Sequence, residues 1–138
     1  MFEYGRKVHV YETDLMGIVH HSNYLRFCEE ARVAWCKQKG VLLNKTSDDR
    51  HSVFGLTVYE TKVKHVFPMK YDDKFEFKIQ VKVSGAKIIF QYKILVGLKL
   101  VCLAETSHCN LGSDLKVKRL NPDLIRIVER EIWTETWL

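Results

Sequence analysis

The 138-residue chain is 46% apolar and 28% charged, with a formal net charge of +5 and a pI near 9.0. That length supports one domain, residues 1–138, with a core of its own, and excludes two. No apolar run follows Met1 and none approaches the length of a membrane span, so neither secretion nor membrane insertion is indicated and a cytoplasmic protein is expected.

The charge favours an anionic ligand without choosing one: nucleic acid, anionic lipid and the phosphates of a coenzyme A thioester would all be attracted. Lys62, Lys64, Lys78, Lys82 and Lys93 stand singly along strand-like segments, as on solvated faces, and only Lys116, Lys118 and Arg119 cluster. No nucleic-acid motif accompanies the cluster, so no nucleic-acid partner is expected. Cys28, Cys36, Cys102 and Cys109 form no Cys-x-x-Cys pair and read as buried free thiols rather than a disulfide frame. Adjacent His20 and His21 should point apart, and no second ligand pair stands at a supporting spacing, so no metal site is predicted.

In chain order, Phe2 to Tyr11 alternates loosely and predicts a first strand. A polar break at Thr13-Asp14 and the apolar run Met16-Gly17-Ile18-Val19 lead to His21, then Ser22 and Asn23, residue types that cap helices. From Tyr24 the spacing is helical, with Tyr24, Phe27, Cys28, Ala31, Ala34 and Trp35 on one stripe and Arg26, Glu30 and Lys37 opposite. Gly40 ends the helix as a left-handed residue would. The helix start offers unpaired N–H groups and the positive end of a dipole, suited to an oxyanion, and a nearby carboxylate would complete a hydrolytic site. An Asx turn is the alternative reading of Asp14. The polar stretch from Val41 to Ser52 reads as a loop or short helix that could lid a pocket.

Val53 to Phe67 predicts a long strand whose slipped alternation implies a bulge, closed by Pro68. Phe75, Phe77, Ile79, Val81 and Val83 then alternate with Glu76, Lys78, Gln80 and Lys82, a strand with one dry and one wet face. Turns at Ser84-Gly85-Ala86 and Gly97-Leu98-Lys99 make an antiparallel meander with the strands Lys87–Val96 and Leu100–Asn110. Asn121-Pro122-Asp123 opens a last helix with Leu124, Ile125, Val128 and Ile132 as its stripe. The whole is α+β: a five-stranded antiparallel sheet around a central helix, with a C-terminal helix.

The run TDLMGIVHHSNYLRFCEEAR resembles the signature of hotdog-fold acyl-CoA thioesterases of the 4-hydroxybenzoyl-CoA thioesterase type, including the branch associated with the Tol-Pal system. Asp14, Gly17, Ile18, Val19, His21, Asn23, Tyr24, Glu29, Ala31 and Arg32 carry the resemblance. A second element, a Pro followed at five by an Asp, is similar at Pro68 and Asp73, although Asp72 stands where that family usually has Gly and His20 where it usually has Tyr or Trp. The resemblance implies a hotdog fold and hydrolysis of an acyl-CoA thioester with no cofactor and no metal. It makes Asp14 general base or nucleophile and lets the His21 backbone N–H polarise the carbonyl. It also implies Gly17, Ile18, Val19, Asn23, Tyr24 and Glu29 around the substrate, and a homodimer or dimer of dimers. Packing is the competing role for Tyr24, and an ion pair with Arg32 the competing role for Glu29. For the coenzyme phosphates, Lys116, Lys118 and Arg119 are the first candidates. A hotdog dehydratase and a non-catalytic acyl-CoA-binding protein are the rival readings.

Overall fold

The computed structural model describes residues 2–41, 56–112 and 114–138. Of the polar stretch read as a lid only Val41 is among them, and residues 53–55 of the expected long strand lie outside as well. Strand β1 (Phe2–Lys7) leads through a 3-10 turn to α1 (Ser22–Gln38), followed by β2 (Leu56–His65), β3 (Lys74–Ser84), β4 (Lys87–Val96), β5 (Lys99–Leu111), β6 (Val117–Lys118) and α2 (Pro122–Glu129). All pairings are antiparallel, in the order β1-β3-β4-β5-β2, with β6 also on β5. The sheet thus has six strands where the sequence reading expects five. The addition is two residues in the basic stretch, held at Asn110↔Lys118 and Leu111↔Val117.

Alternation in β3 sends Phe75, Phe77, Ile79 and Val81 inward, where they meet Phe90, Tyr92 and Ile94 of β4 and Cys102 and Ala104 of β5. Helix α1 lays Phe27, Cys28, Ala31 and Trp35 on this surface; Phe27 lies 4.9 Å from Phe75 and Trp35 5.3 Å from Phe90, ring to ring. Burying each large side chain removes it from water at about 1.5–3 kcal/mol, so this seam is the main source of cohesion. The α1 terminus is a Schellman motif. Gly40, at φ +73°, lets its own N–H reach Lys37 O and Val41 N–H reach Cys36 O. The slip in β2 is a bulge between Val58 and Glu60. Of the cysteines, Cys28, Cys36 and Cys102 are buried free thiols and Cys109 is half-buried.

Several expectations need correction. The first strand stops at Lys7, because the Glu12 carboxylate folds back to accept the His9 N–H at 2.8 Å and coils Val10–Glu12 into the 3-10 turn. The wet face of β3 is not wet at Gln80, which is 1% exposed beneath residues 133–138. Its amide accepts from Thr134 N–H and donates to Glu135 O, and its neighbour Gln91 accepts from Trp137 N–H. Helix α2 ends at Glu129, so Ile132 lies past it at 68% exposure while Leu124 and Val128 make the buried contact. Asn121 does cap α2, accepting from Asp123 N–H at 2.8 Å.

Candidate active site

The loop from Glu12 to His21 is pinned at both ends. Arg6 grips the Glu12 carboxylate with two bonds, at 2.8 and 2.6 Å, and Glu30 with two more, while its guanidinium lies against the Phe27 and Phe75 rings. Burial raises the Glu12 pKa, but the bonds from Arg6 and the His9 N–H outweigh it and hold the carboxyl below its ordinary value. The Glu12 carbonyl in turn accepts from His20 N–H at 2.9 Å and from the Asn23 side-chain amide at 2.8 Å. This ties the start of α1 to the end of the 3-10 turn.

Between these pins the chain makes a tight turn at Asp14-Leu15-Met16-Gly17. Gly17 N–H bonds to Asp14 O, Asp14 N–H to Ile18 O, and Gly17 takes φ +79°, which a side chain would resist. Ile18 bridges to Lys70, and Val19 N–H bonds to Met69 O, which locks the loop to the segment after Pro68. That segment turns at Asp72, a non-glycine at φ +69°, which gives the physical reason for glycine being usual there.

Asp14 is half-buried, and its Oδ1 accepts from Met16 N–H at 2.8 Å. The Asx turn is therefore real, and it occupies one carboxylate oxygen. The other has no partner among the described residues. Seven residues on, His21 is the N-cap of α1 but makes no side-chain cap bond, and among the described residues no acceptor meets its backbone N–H. Ser22 and Asn23 do not cap as the sequence suggests. The Ser22 N–H and hydroxyl turn to His20 Nδ1, at 3.2 and 2.8 Å, and Asn23 is committed to Glu12 and Arg26. This fold of His20 over the helix start brings the two histidine rings to 4.3 Å, so they do not point apart.

Asp14, Ile18, Val19, His21 and Tyr24 share an open pocket of about 350 Å³, closed by His65, Val66, Phe67 and Pro68 from the end of β2. Burial pushes the Tyr24 phenol pKa up, and its ring meets His65 edge-on at 4.8 Å, which suits a wall. His65 and Val66 are pocket residues that sequence reasoning misses, since nothing in an exposed strand end marks a side chain as facing a distant loop. Their place just before Pro68 was the available signal.

Other expected site residues lie elsewhere. Gly17 shapes the turn without lining the pocket, and Asn23 lines a separate polar cleft with Arg6, Glu12 and His20. Glu29 is exposed, about a turn further along α1, and makes no ion pair with Arg32, whose guanidinium instead donates to the Tyr92 hydroxyl at 3.2 Å. Lys116, Lys118 and Arg119 lie around β6, level with Asn110 of β5, whereas His65 is level with Cys102. Eight residues of strand, roughly 27 Å, separate them along one chain.

Residues 8–128 match the thioesterase-like superfamily. A candidate esterase of Aquifex aeolicus is 38% identical over 109 residues, 78% of this chain and 83% of the relative. A 1,4-dihydroxy-2-naphthoyl-CoA hydrolase of Synechococcus elongatus is 24% identical over 126 residues, 91% of this chain and 92% of its own. The crystal structure of a 1,4-dihydroxy-2-naphthoyl-CoA thioesterase from Synechocystis superposes with a TM-score of 0.83 at 21% identity, over 94% of this chain and 96% of that one, which establishes the hotdog fold. The chain therefore belongs to the thioesterase-like superfamily and is, with that family, a thioester hydrolase.

Proposed function

We propose that the chain hydrolyses acyl-CoA thioesters, with Asp14 as general base or nucleophile and the His21 backbone N–H as the oxyanion donor. One observation carries the reading. A carboxylate with an unengaged oxygen and a helix-terminal N–H with no acceptor among the described residues line the same pocket. A thioester carbonyl is already electrophilic, so an activated water or a carboxylate attack, with charge stabilisation of the tetrahedral oxygen, is sufficient chemistry. The named activities of the Synechococcus relative and of an acyl-CoA thioesterase of Haemophilus influenzae, 25% identical over 95 residues, support a coenzyme A thioester as substrate. Within the family, the run from Thr13 to Arg32 favours the 4-hydroxybenzoyl-CoA and Tol-Pal-associated type.

The protein acts as a homodimer or dimer of dimers. Strand β2 supports this reading: it is an edge of the sheet, exposed along most of its ten residues, and Val66 and Phe67 beyond it are 47% and 44% exposed. An open edge of that length invites pairing with a copy of itself.

The test is Asp14→Asn. The amide keeps the Asx-turn oxygen but loses charge and basicity, so turnover should fall by at least ~10²-fold on the best substrate of an acyl-CoA panel, while binding persists. His21→Ala should cost less, because it retains the backbone donor. A folded Asp14→Asn protein with near wild-type turnover would overturn the mechanism.

A further inference from the structure

We infer that the cavity bordered by Arg32 and His108, between α1, α2 and the inner face of the sheet, is a second ligand site that takes a small monocarboxylate with an apolar body. The cavity measures about 180 Å³, and Trp35, Leu56, Ile88, Phe90 and Leu124 give it apolar walls. It shares no residue with the Asp14 pocket. His108 pairs with Val58 of β2 and Cys102 with His65, so within the chain the two sites are six residues of β5, about 20 Å, apart.

Four side chains form a hydrogen-bonded chain whose direction is fixed at one end. The Arg32 guanidinium can only donate, so the Tyr92 hydroxyl accepts from it at 3.2 Å. The buried Tyr92 O–H has no acceptor among the described residues other than Thr106 Oγ1, at 2.8 Å, and the Thr106 O–H is left to donate to His108 Nε2 at 2.9 Å. An imidazole that accepts at Nε2 carries its proton on Nδ1. Burial, and secondarily the Arg32 charge, keep the ring neutral with a pKa of about 3. The Nδ1–H therefore belongs to a side chain 1% exposed and meets no acceptor among the described residues. No side-chain nitrogen or oxygen sealed from solvent lacks a partner among those residues, so this donor borders open space, and the cavity is the space the ring lines.

The two donors select the ligand. Arg32 gives one bond to Tyr92 and meets no carboxylate among the described residues, so the rest of its planar fork is free for an anion, and a carboxylate matches that fork. His108 adds a neutral donor for the same anion. The apolar walls disfavour a small hydrated ion and favour an anion that carries an apolar body. At about 30 Å³ per water, the cavity has room for roughly six waters' worth of ligand, which suits an aryl or short branched acid and not a long chain. The Cys36 thiol at the wall is held protonated, its pKa pushed up to about 11 by burial, and Glu29 lies at the exposed mouth, where solvent screens its charge. The acid released by thioester hydrolysis belongs to this chemical class, which makes product the natural occupant; that link alone rests on the reading proposed above.

Nuclear magnetic resonance with benzoate as the probe tests the site. Ring nitrogen spectra of the wild-type protein should show His108 protonated on Nδ1, and benzoate should move that signal equally in wild type and in Asp14→Asn, since the site does not depend on the catalytic carboxylate. Benzamide, which lacks the charge, and inorganic phosphate, which lacks the apolar body, should each bind about tenfold more weakly or worse, and Arg32→Met and His108→Phe should each weaken benzoate by about the same factor. A ring protonated on Nε2 overturns the inference. So does benzoate that moves the His21 and His65 signals but not that of His108, or phosphate that binds as tightly as benzoate. All three are read on the wild-type protein and decide even where a variant fails to fold. Displacement of benzoate by the acid released from the best acyl-CoA substrate supports product as the occupant, and its absence overturns that link; loss of the catalytic reading shows separately, as full turnover in Asp14→Asn.

Discussion

His108 shows how a single residue can answer to the interior rather than to the reaction. It is 1% exposed on β5, bonded through Nε2 to Thr106 at 2.9 Å, and Thr106 in turn meets the Tyr92 hydroxyl that receives Arg32. Burial, and secondarily the Arg32 charge, depress its pKa to about 3. The folded value is below the unfolded one of about 6.5, so the unfolded chain binds the proton more readily. The stabilising contribution is complete above pH 6.5 and is lost as pH falls toward 3, at up to about 1.4 kcal/mol per pH unit. Urea titrations from pH 7 to pH 4 should show that slope, and His108→Gln should flatten it; an unchanged slope would mean the histidine is not the titrating group. Asp14 differs in kind: half-buried, it gives one oxygen to its turn, and the other meets no partner among the described residues.

At the scale of elements, the C-terminal segment past α2 is the piece whose contribution is least apparent from its composition. Residues 133–138 cross the outer face of the sheet, where Gln80, Gln91 and Glu105 form a ladder across β3, β4 and β5 with bonds of 2.9 and 2.6 Å. Trp133 and Trp137 lie under Lys82 and Lys93 at 4.2 and 4.6 Å from ring to ammonium. Each cation–π contact contributes about 0.5–1 kcal/mol and each net hydrogen bond about 1. Removing residues 133–138 should therefore lower unfolding stability by on the order of 2–4 kcal/mol, measured by chemical denaturation. Turnover should be retained, since the Asp14 pocket lies on the opposite face; loss of activity without loss of stability would contradict that separation.

For the whole molecule, the open β2 edge and the partly exposed Val66 and Phe67 wall predict assembly. Light scattering at micromolar concentration should return at least twice the 16.3 kDa chain mass. An active monomer at that concentration would overturn the proposed assembly.

Local patterns were enough where the physics is local. The 3.6-residue spacing marks α1, alternation with short glycine turns marks the meander, Asn121-Pro122 opens α2, the slipped phase of β2 announces its bulge, and Gly40 takes its expected left-handed φ. The grouping of Asp14 and His21 was legible because loop and helix start are seven residues apart and must stay close. What the sequence left open depends on contacts between distant segments. Gln80 reads as a solvated residue until a tail some fifty residues later buries it. His65 reads as an exposed strand end until Pro68 and the Ile18–Lys70 bridge bring it to the pocket. The basic cluster reads as a ready neighbour of the pocket until the register of β5 with β2 and β6 sets Lys118 level with Asn110 and His65 level with Cys102, at opposite ends of one strand. Periodicity reports which face a side chain takes on its own element; only tertiary structure decides what that face meets.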